Sequence, residues 1–355
     1  MNGFYNDYNR VVIETPEERQ EKIKRQRKLF SRVFLALTLY ILASQFASTG
    51  VYYLAHALMT PEQYSSFYYS SFWTVVTSCV SQYLIAFPVM IIALAGTKKS
   101  FERKQKRLSL SEFFVMFVIG EALMYAGSII GNILNQFIGD VTGVTPENNV
   151  SALISEMPLW LMLVAMVIIG PIVEELIFRK ILIDRLSIYG DKMAIIFSSV
   201  AFGLMHGNLY QFFYAALLGL LLGYVYASTR NLKYTIYMHM IVNFIGSIVT
   251  LKVQDAIIDF TDGMTVLQLG EPVNILALLV SGTVTVIYLN LQYGLIIGGI
   301  IALIHYIRKK KFSISQDKEI FLPDKEIAKN GIVNFGAISF LTLSVILLLL
   351  NLFFA

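Results

Sequence analysis

Residues 158–180 read PLWLMLVAMVIIGPIVEELIFRK, an apolar run that ends in two adjacent glutamates and an arginine. A helix needs about 20 apolar residues to cross the roughly 30 Å of hydrocarbon in a bilayer, and this run supplies them. An ionisable side chain within such a span costs about 3 kcal/mol on insertion scales. Glu174, Glu175 and Arg179 therefore need partners or a water-filled cavity.

Composition extends this interpretation to the whole chain. Of 355 residues, 56% are hydrophobic and only 15% are charged, whereas roughly 25% are charged in soluble domains. We predict an all-α, polytopic transmembrane helix bundle of about eight or nine spans, with the active site inside the bundle. The candidate spans are 30–56, 70–96, 111–138, 158–178, 192–207, 210–228, 233–251, 289–307 and 331–354. Residues 272–287 are either an interfacial helix or the start of one long tilted span.

The placement of Lys and Arg predicts the orientation. Basic stretches occur at 18–28, 98–107, 179–185, 228–233 and 308–311, whereas the loops between them carry almost no positive charge. This alternation predicts a multi-pass protein of the cell membrane with a cytoplasmic N-terminus and an outer C-terminus. The Tyr-, Phe-, Ile- and Lys-rich composition suggests that the membrane is a bacterial plasma membrane. The N-terminal segment is polar and lacks the apolar core of a signal peptide.

The pattern divides the chain into five regions. They are a cytosolic basic segment (1–29), N-terminal membrane helices (30–138), candidate catalytic helices (139–251), a further membrane region with a cytosolic linker (252–330) and a last span (331–355), which looks peripheral. A single cysteine excludes an internal disulfide and a cysteine-based metal cluster. The net charge of +4 reflects the basic inner loops, and no nucleic-acid partner is expected. The oligomeric state is left open.

Helix geometry predicts unequal roles for the two glutamates. Glu175 and Arg179 are four residues apart and can pair along one face, whereas Glu174 is rotated by about 100° and must face something else. An alternative interpretation is that the helix ends here and the three charged side chains only reach the cytosolic interface, which would produce the same sequence.

Two further pairs lie at the same spacing of four residues: Phe202 with His206, and His239 with Asn243. If the helix that contains Glu174 continues to about Tyr189 and turns at Gly190, then Glu174 and His206 come level on antiparallel helices. Hydrogen bonds that only hold the helices together are the simpler alternative.

A carboxylate, two imidazoles and an amide in a low-dielectric surrounding can hydrolyse a peptide bond. The glutamate takes a proton from water, and the amide and a histidine donate hydrogen bonds to the oxyanion. The residues alone leave a zinc site open, since two histidines and a glutamate could hold Zn²⁺.

The ordered set E-E-x-x-x-R, F-x-x-x-H and H-x-x-x-N resembles the CPBP family of intramembrane glutamate proteases, which includes CAAX prenyl proteases and bacteriocin-processing proteins. The resemblance covers about 158–251. It implies that Glu174 is the general base, with His206 as its partner. It also implies that His239 and Asn243 form the oxyanion side, that Glu175 and Arg179 orient the site, and that no metal or other cofactor is needed.

The resemblance implies a peptide or membrane-protein substrate reached within the lipid bilayer, in bacterial peptide processing or bacteriocin immunity. Two alternatives stay open: a non-enzymatic immunity or scaffold protein, and a proton-coupled transporter. Either could use the polar stripe on the third span, which comprises Glu121, Tyr125, Ser128, Asn132 and Asn135.

Overall fold

The computed structural model describes residues 15–100, 104–143, 156–314 and 318–354, and all regular structure in these ranges is helical. The helices are α1 (Pro16–Leu58), α2 (Pro61–Tyr68), α3 (Ser71–Ala93), α4 (Leu110–Thr142), α5 (Leu159–Tyr189), α6 (Asp191–Met205), α7 (Leu209–Thr229), α8 (Leu232–Gln268), α9 (Ile275–Arg308), α10 (Asp324–Ile332) and α11 (Phe335–Phe354). The predicted all-α bundle is confirmed. Residues 1–14 of the predicted N-terminal segment lie outside the described residues, and its remainder forms the first turns of α1.

Eight of these helices are long and apolar enough to cross a membrane. Every predicted span corresponds to a helix, but α6 has only 15 residues and spans about 22 Å at 1.5 Å per residue. The ambiguous segment 272–287 is resolved, because α9 is one continuous helix of 34 residues from Ile275 to Arg308.

The turn between α5 and α6 lies where the sequence predicts it. Helix α5 continues to Tyr189, and Gly190 then has φ +112°, which is strained for residues with a Cβ. Helix α6 ends at Met205, Gly207 again has positive φ, and the Asn208 side chain accepts from the Gln211 amide to cap α7. These two turns fix the length of α6 and place His206, which directly follows the helix, at the site.

Helix α7 packs between α4 and α6 at the centre of the bundle. Small residues permit this approach. A Cβ at Gly127 of α4 would lie 2.5 Å from the Tyr214 backbone, and one at Gly219 of α7 would lie 3.1 Å from the Ser199 Cα. Larger side chains at these glycines would force the helices apart.

The last span, which the sequence predicts to be peripheral, packs chiefly against α1. Helix α11 packs against α1, and a Cβ at Gly336 would lie 1.8 Å from the Ser31 carbonyl oxygen. The rings of Phe34 and Phe340 are 5.7 Å apart at their centroids. A glycine at the start of an apolar helix thus allows close contact that hydropathy alone does not reveal.

The linker before α11 is fastened to the α5–α6 turn. The Glu319 and Ile320 amides both donate to the Ile188 carbonyl, at 3.0 and 3.1 Å. Lys318 donates to Asp324 at 2.8 Å, and this hydrogen bond lowers the pKa of the Asp324 carboxyl. The linker therefore holds α11 beside α1 and α6.

Candidate active site

The two glutamates lie on a short α-helical turn of α5 between two π-helical segments. The turn is Gly170–Glu175, and the π-helical segments are Leu163–Ile169 and Leu176–Ile183. Pro171 has no N–H to donate to the preceding turn. Short π-helical segments often occur at functional sites, because they change the faces on which side chains emerge.

Glu175 is completely buried between two partners. Its Oε1 accepts from His239 Nδ1 at 3.0 Å, and its Oε2 lies 3.0 Å from Arg179 Nε. The predicted pairing along the helix is therefore present. The Nε–H group of Arg179 is poorly aligned for a hydrogen bond to Glu175, so this contact acts chiefly as an ion pair. Arg179 also stacks over the Phe202 ring at 4.8 Å, which fixes the guanidinium without further hydrogen bonds.

Glu174 has a different environment. Its side chain remains 32% exposed, and its Oε2 lies 3.7 Å from His239 Nε2. The His239 ring thus lies between the two carboxylates, with Nδ1 toward Glu175 and Nε2 toward Glu174. A separation of 3.7 Å is too long for a direct hydrogen bond. The contact therefore leaves Glu174 free to bond elsewhere.

His206 lies at the C-terminal end of α6, beyond its last helical residue. Its Nδ1 is 2.9 Å from the Phe202 carbonyl oxygen. Because a carbonyl oxygen can only accept, Nδ1 carries the proton and neutral His206 has its lone pair at Nε2. Among the described residues, no carboxylate oxygen lies within 4.0 Å of either nitrogen of this ring. The imidazole in contact with Glu174 is that of His239.

Phe202 separates the two histidines. Its ring meets His206 edge to face at a centroid distance of 5.0 Å and His239 at 5.7 Å. The ring is almost fully buried. It therefore lies between the two imidazoles, one at the end of α6 and the other on α8.

Asn243 connects α8 to the first π-helical segment of α5. Its Nδ2 donates to the Met166 carbonyl oxygen at 2.8 Å. An amide group has two N–H donors, so one donor remains after this bond. The four predicted catalytic side chains come from α5, the end of α6 and α8, as the motif order requires.

A cavity of about 440 Å³ opens beside His206. Its polar lining includes Tyr40, Ser44 and Gln45 of α1, Gln82 of α3 and Asn351 of α11. The motifs lie in 158–251, yet this cavity also needs the first and last helices. Sequence reasoning missed that contribution.

Tyr83 is another residue that the motif analysis missed. A Cβ at Gly170 would lie 3.5 Å from the Tyr83 hydroxyl and 3.9 Å from Glu174 Oε1, so the hydroxyl and the carboxylate both border Gly170. The polar run Ser81, Gln82, Tyr83 in the middle of an apolar span is the signal that could have found it.

The other polar residues that the sequence analysis singled out lie apart from this cluster. Glu121 is buried on α4, and Asn135 bonds to the Gly131 carbonyl of its own helix. Tyr125 and Asn132 are exposed, so the predicted stripe is not a continuous wall. His56 stacks against Tyr64 outside the site, and His305 contacts Tyr306. Among the described residues, no three His, Cys, Asp or Glu side chains form a group that could hold a metal ion.

The fold is that of a polytopic membrane protein with the three motifs on α5, at the end of α6 and on α8. Residues 156–245 match the family model of the Rce1-like proteins, described as type II CAAX prenyl endopeptidase Rce1-like. The match includes all three motifs, and it confirms the predicted resemblance to the CAAX protease family. The matched residues thus resemble a family of membrane proteases, and eight helices of the described residues are long and apolar enough for a multi-pass membrane protein.

A bacterial relative is consistent with this assignment. The chain is 26% identical over 185 residues to "Putative membrane peptidase YdiL" of Bacillus subtilis (strain 168). The alignment covers 51% of this chain and 72% of the relative. No solved structure matches the chain.

Proposed function

We propose that this protein is an intramembrane endopeptidase that hydrolyses a peptide bond of a membrane-associated or peptide substrate with water activated by Glu174. The observation that supports this most strongly is the position of His239 between Glu174 and Glu175, at 3.7 and 3.0 Å. A half-exposed carboxylate beside a fixed imidazole suits a general base that must take up and return one proton.

Glu174 takes a proton from a water molecule that the Nε2 lone pair of His206 orients. The resulting hydroxide forms the new C–O bond at the scissile carbonyl carbon. Glu174 then returns the proton to the amine nitrogen as the C–N bond breaks, which restores the starting protonation state. The hydrogen bond from His206 Nδ1 to the Phe202 carbonyl supports this role, because it leaves Nε2 as an acceptor.

His239 and Asn243 stabilise the tetrahedral oxyanion. As an imidazolium, His239 has carboxylates on both sides, and it donates through Nε2. Asn243 donates the N–H that its bond to Met166 leaves free. One such donor typically contributes about 3 kcal/mol to transition-state stabilisation. Glu175 acts as a positioning residue because it holds Nδ1 of His239, and Arg179 acts through its ion pair with Glu175.

The substrate approaches as an extended peptide segment in the cavity beside His206. The hydroxyl and amide side chains that line this cavity can form hydrogen bonds with a peptide backbone. The cavity volume of about 440 Å³ lies within the usual range for a ligand site. Bacterial peptide or membrane-protein processing, or bacteriocin immunity, fits this chain better than cleavage of a prenylated eukaryotic substrate. The relative in Bacillus subtilis favours the bacterial plasma membrane, and the basic loops favour an N-terminus in the cytoplasm.

The test is incubation of the purified protein in liposomes with matched peptides that do or do not carry a lipid tail, read by mass spectrometry. We expect internal cleavage that persists in a strong chelator. No cleavage of any peptide would favour the immunity or scaffold alternative. If the chelator removes about one zinc ion per chain and abolishes cleavage, and added zinc restores cleavage, the protein would instead be a metallopeptidase.

A further inference from the structure

A second cavity, of about 1070 Å³, lies where three membrane helices end at a basic loop. It is bounded by the start of α4, the end of α7 and the segment that follows α9. Its lining includes none of the residues placed in the candidate active site. This cavity is therefore a separate feature, and nothing in the peptidase proposal uses it.

Four exposed cationic side chains converge on this cavity: Lys104, Lys106, Arg107 and Lys311. Within the described part of the chain, none of the four forms an ion pair with a carboxylate. The backbone holds one of them in place, because the Lys106 amide donates to the Thr229 carbonyl at 2.8 Å.

One acidic side chain, Glu112, faces the cavity, and it is already engaged. Its Oε2 accepts from the Ser109 amide at 2.9 Å and from the Ser109 hydroxyl at 2.6 Å, as part of the cap of α4. A fifth cation, Arg230, is about nine-tenths buried at the wall and pairs with Asp184 and Asp191. Its Nε has no hydrogen-bond partner among the described residues. The cavity therefore carries a large excess of positive charge.

The rest of the lining is amphipathic. Ser111, Ser228 and Ser313 offer hydroxyls, whereas Leu108 and Val115 offer apolar surface. Hydroxyls and cations together favour a phosphate oxygen, and apolar surface at the membrane boundary favours the glycerol and first methylenes of a lipid.

We propose that this cavity binds the phosphate group of an anionic ligand, supplied by the headgroup of an anionic phospholipid of the same leaflet. Basic inner loops alone attract such lipids weakly and without a defined site. Here cations from two separate segments, 104–107 and 311, line one concave surface. A general attraction between basic loops and anionic lipid would not require such a surface.

The test compares two triple variants of the full chain. The cavity variant carries Lys106→Gln, Arg107→Gln and Lys311→Gln. The control carries Lys24→Gln, Lys28→Gln and Lys309→Gln, three exposed cations outside the cavity lining that remove the same total charge. Nanodiscs of phosphatidylcholine with increasing phosphatidylglycerol are read by native mass spectrometry. In a second arm, inorganic pyrophosphate is titrated in neutral detergent and read by thermal shift.

We expect the cavity variant to bind phosphatidylglycerol at least about tenfold more weakly than wild type, because it lacks three of the cations that line the cavity. The control should retain nearly full binding. A loss confined to the pyrophosphate arm would keep the phosphate site but assign it to a soluble ligand. Equal losses in both variants would overturn the proposal, because the charges would then act only as a surface. Neither readout depends on peptidase activity.

Discussion

At the scale of single residues, His239 connects two carboxylates with different environments. Glu175 has no exposed side-chain surface, whereas Glu174 is 32% exposed. Glu175 is held by Arg179 and by Nδ1 of His239, and Glu174 has no comparable bond. The same side-chain chemistry at adjacent positions thus supports two roles, one in positioning and one in proton transfer.

This difference predicts that the two conservative variants behave differently. Glu175→Gln leaves Arg179 as an unpaired buried charge, so we expect a loss of about 3 kcal/mol in stability and a clearly lower Tm. Glu174→Gln should melt close to wild type. Differential scanning fluorimetry in one detergent compares the two, with Glu62→Gln on exposed α2 as the matched control. Equal loss in Glu174→Gln and Glu175→Gln would contradict the assignment.

Part of this site follows from the sequence alone. Residues four apart on one helix must share a face, so the pairing of Glu175 with Arg179 is predictable. The contact of His239 with Glu174 joins different helices, and it depends on helix tilt and on the π-helical segments around Glu174. No spacing rule encodes that geometry, so the histidine closest to Glu174 could not be predicted.

At the scale of helices, packing depends on a few glycines. Gly298 and Gly299 are adjacent on α9, but a Cβ at Gly299 would lie 2.0 Å from the Val118 carbonyl oxygen of α4, whereas one at Gly298 meets nothing within 4 Å. These neighbours form a natural matched pair.

We predict that Gly299→Ala forces α9 away from α4 and lowers Tm by several degrees, since a backbone oxygen cannot move aside independently. Gly298→Ala should leave Tm unchanged or raise it, because alanine favours the helix by up to about 1 kcal/mol. Thermal melts of both purified variants provide the measurement. A larger loss in Gly298→Ala would contradict the observed face of α9.

The helices are predictable because the length of each apolar run determines them locally. The α5–α6 turn is predictable because the YGD sequence at 189–191 determines it locally. The contact of α11 with α1 is not, because it joins residues about 300 positions apart through Gly336 and Ser31. Nothing in hydropathy distinguishes a packed last helix from a peripheral one.

At the scale of the whole molecule, the basic loops orient the bundle. The α7–α8 turn at Arg230 is tied to the start of α6 through Asp191, so both turns lie on one side, with the phosphate cavity. The positive-inside rule predicts that this side faces the cytoplasm.

We therefore predict that Lys233→Cys, in a Cys79→Ser background, reacts with a membrane-impermeant thiol reagent in inside-out vesicles only. Ser66→Cys, on α2 at the opposite end of α1, should react in right-side-out vesicles only. Both positions are exposed, so the two sites serve as reciprocal controls. The reverse pattern would invert the orientation and move the phosphate cavity to the outer leaflet.

The most direct test of the account is cleavage of a reactive peptide in H₂¹⁸O, followed by mass spectrometry of the new carboxyl terminus. Wild type should place one ¹⁸O atom in that carboxylate, because water supplies the attacking oxygen. Glu174→Gln should slow formation of this product by at least about 100-fold while retaining the fold. Undiminished cleavage by Glu174→Gln, or a wild-type product without the label, would contradict water activation by Glu174.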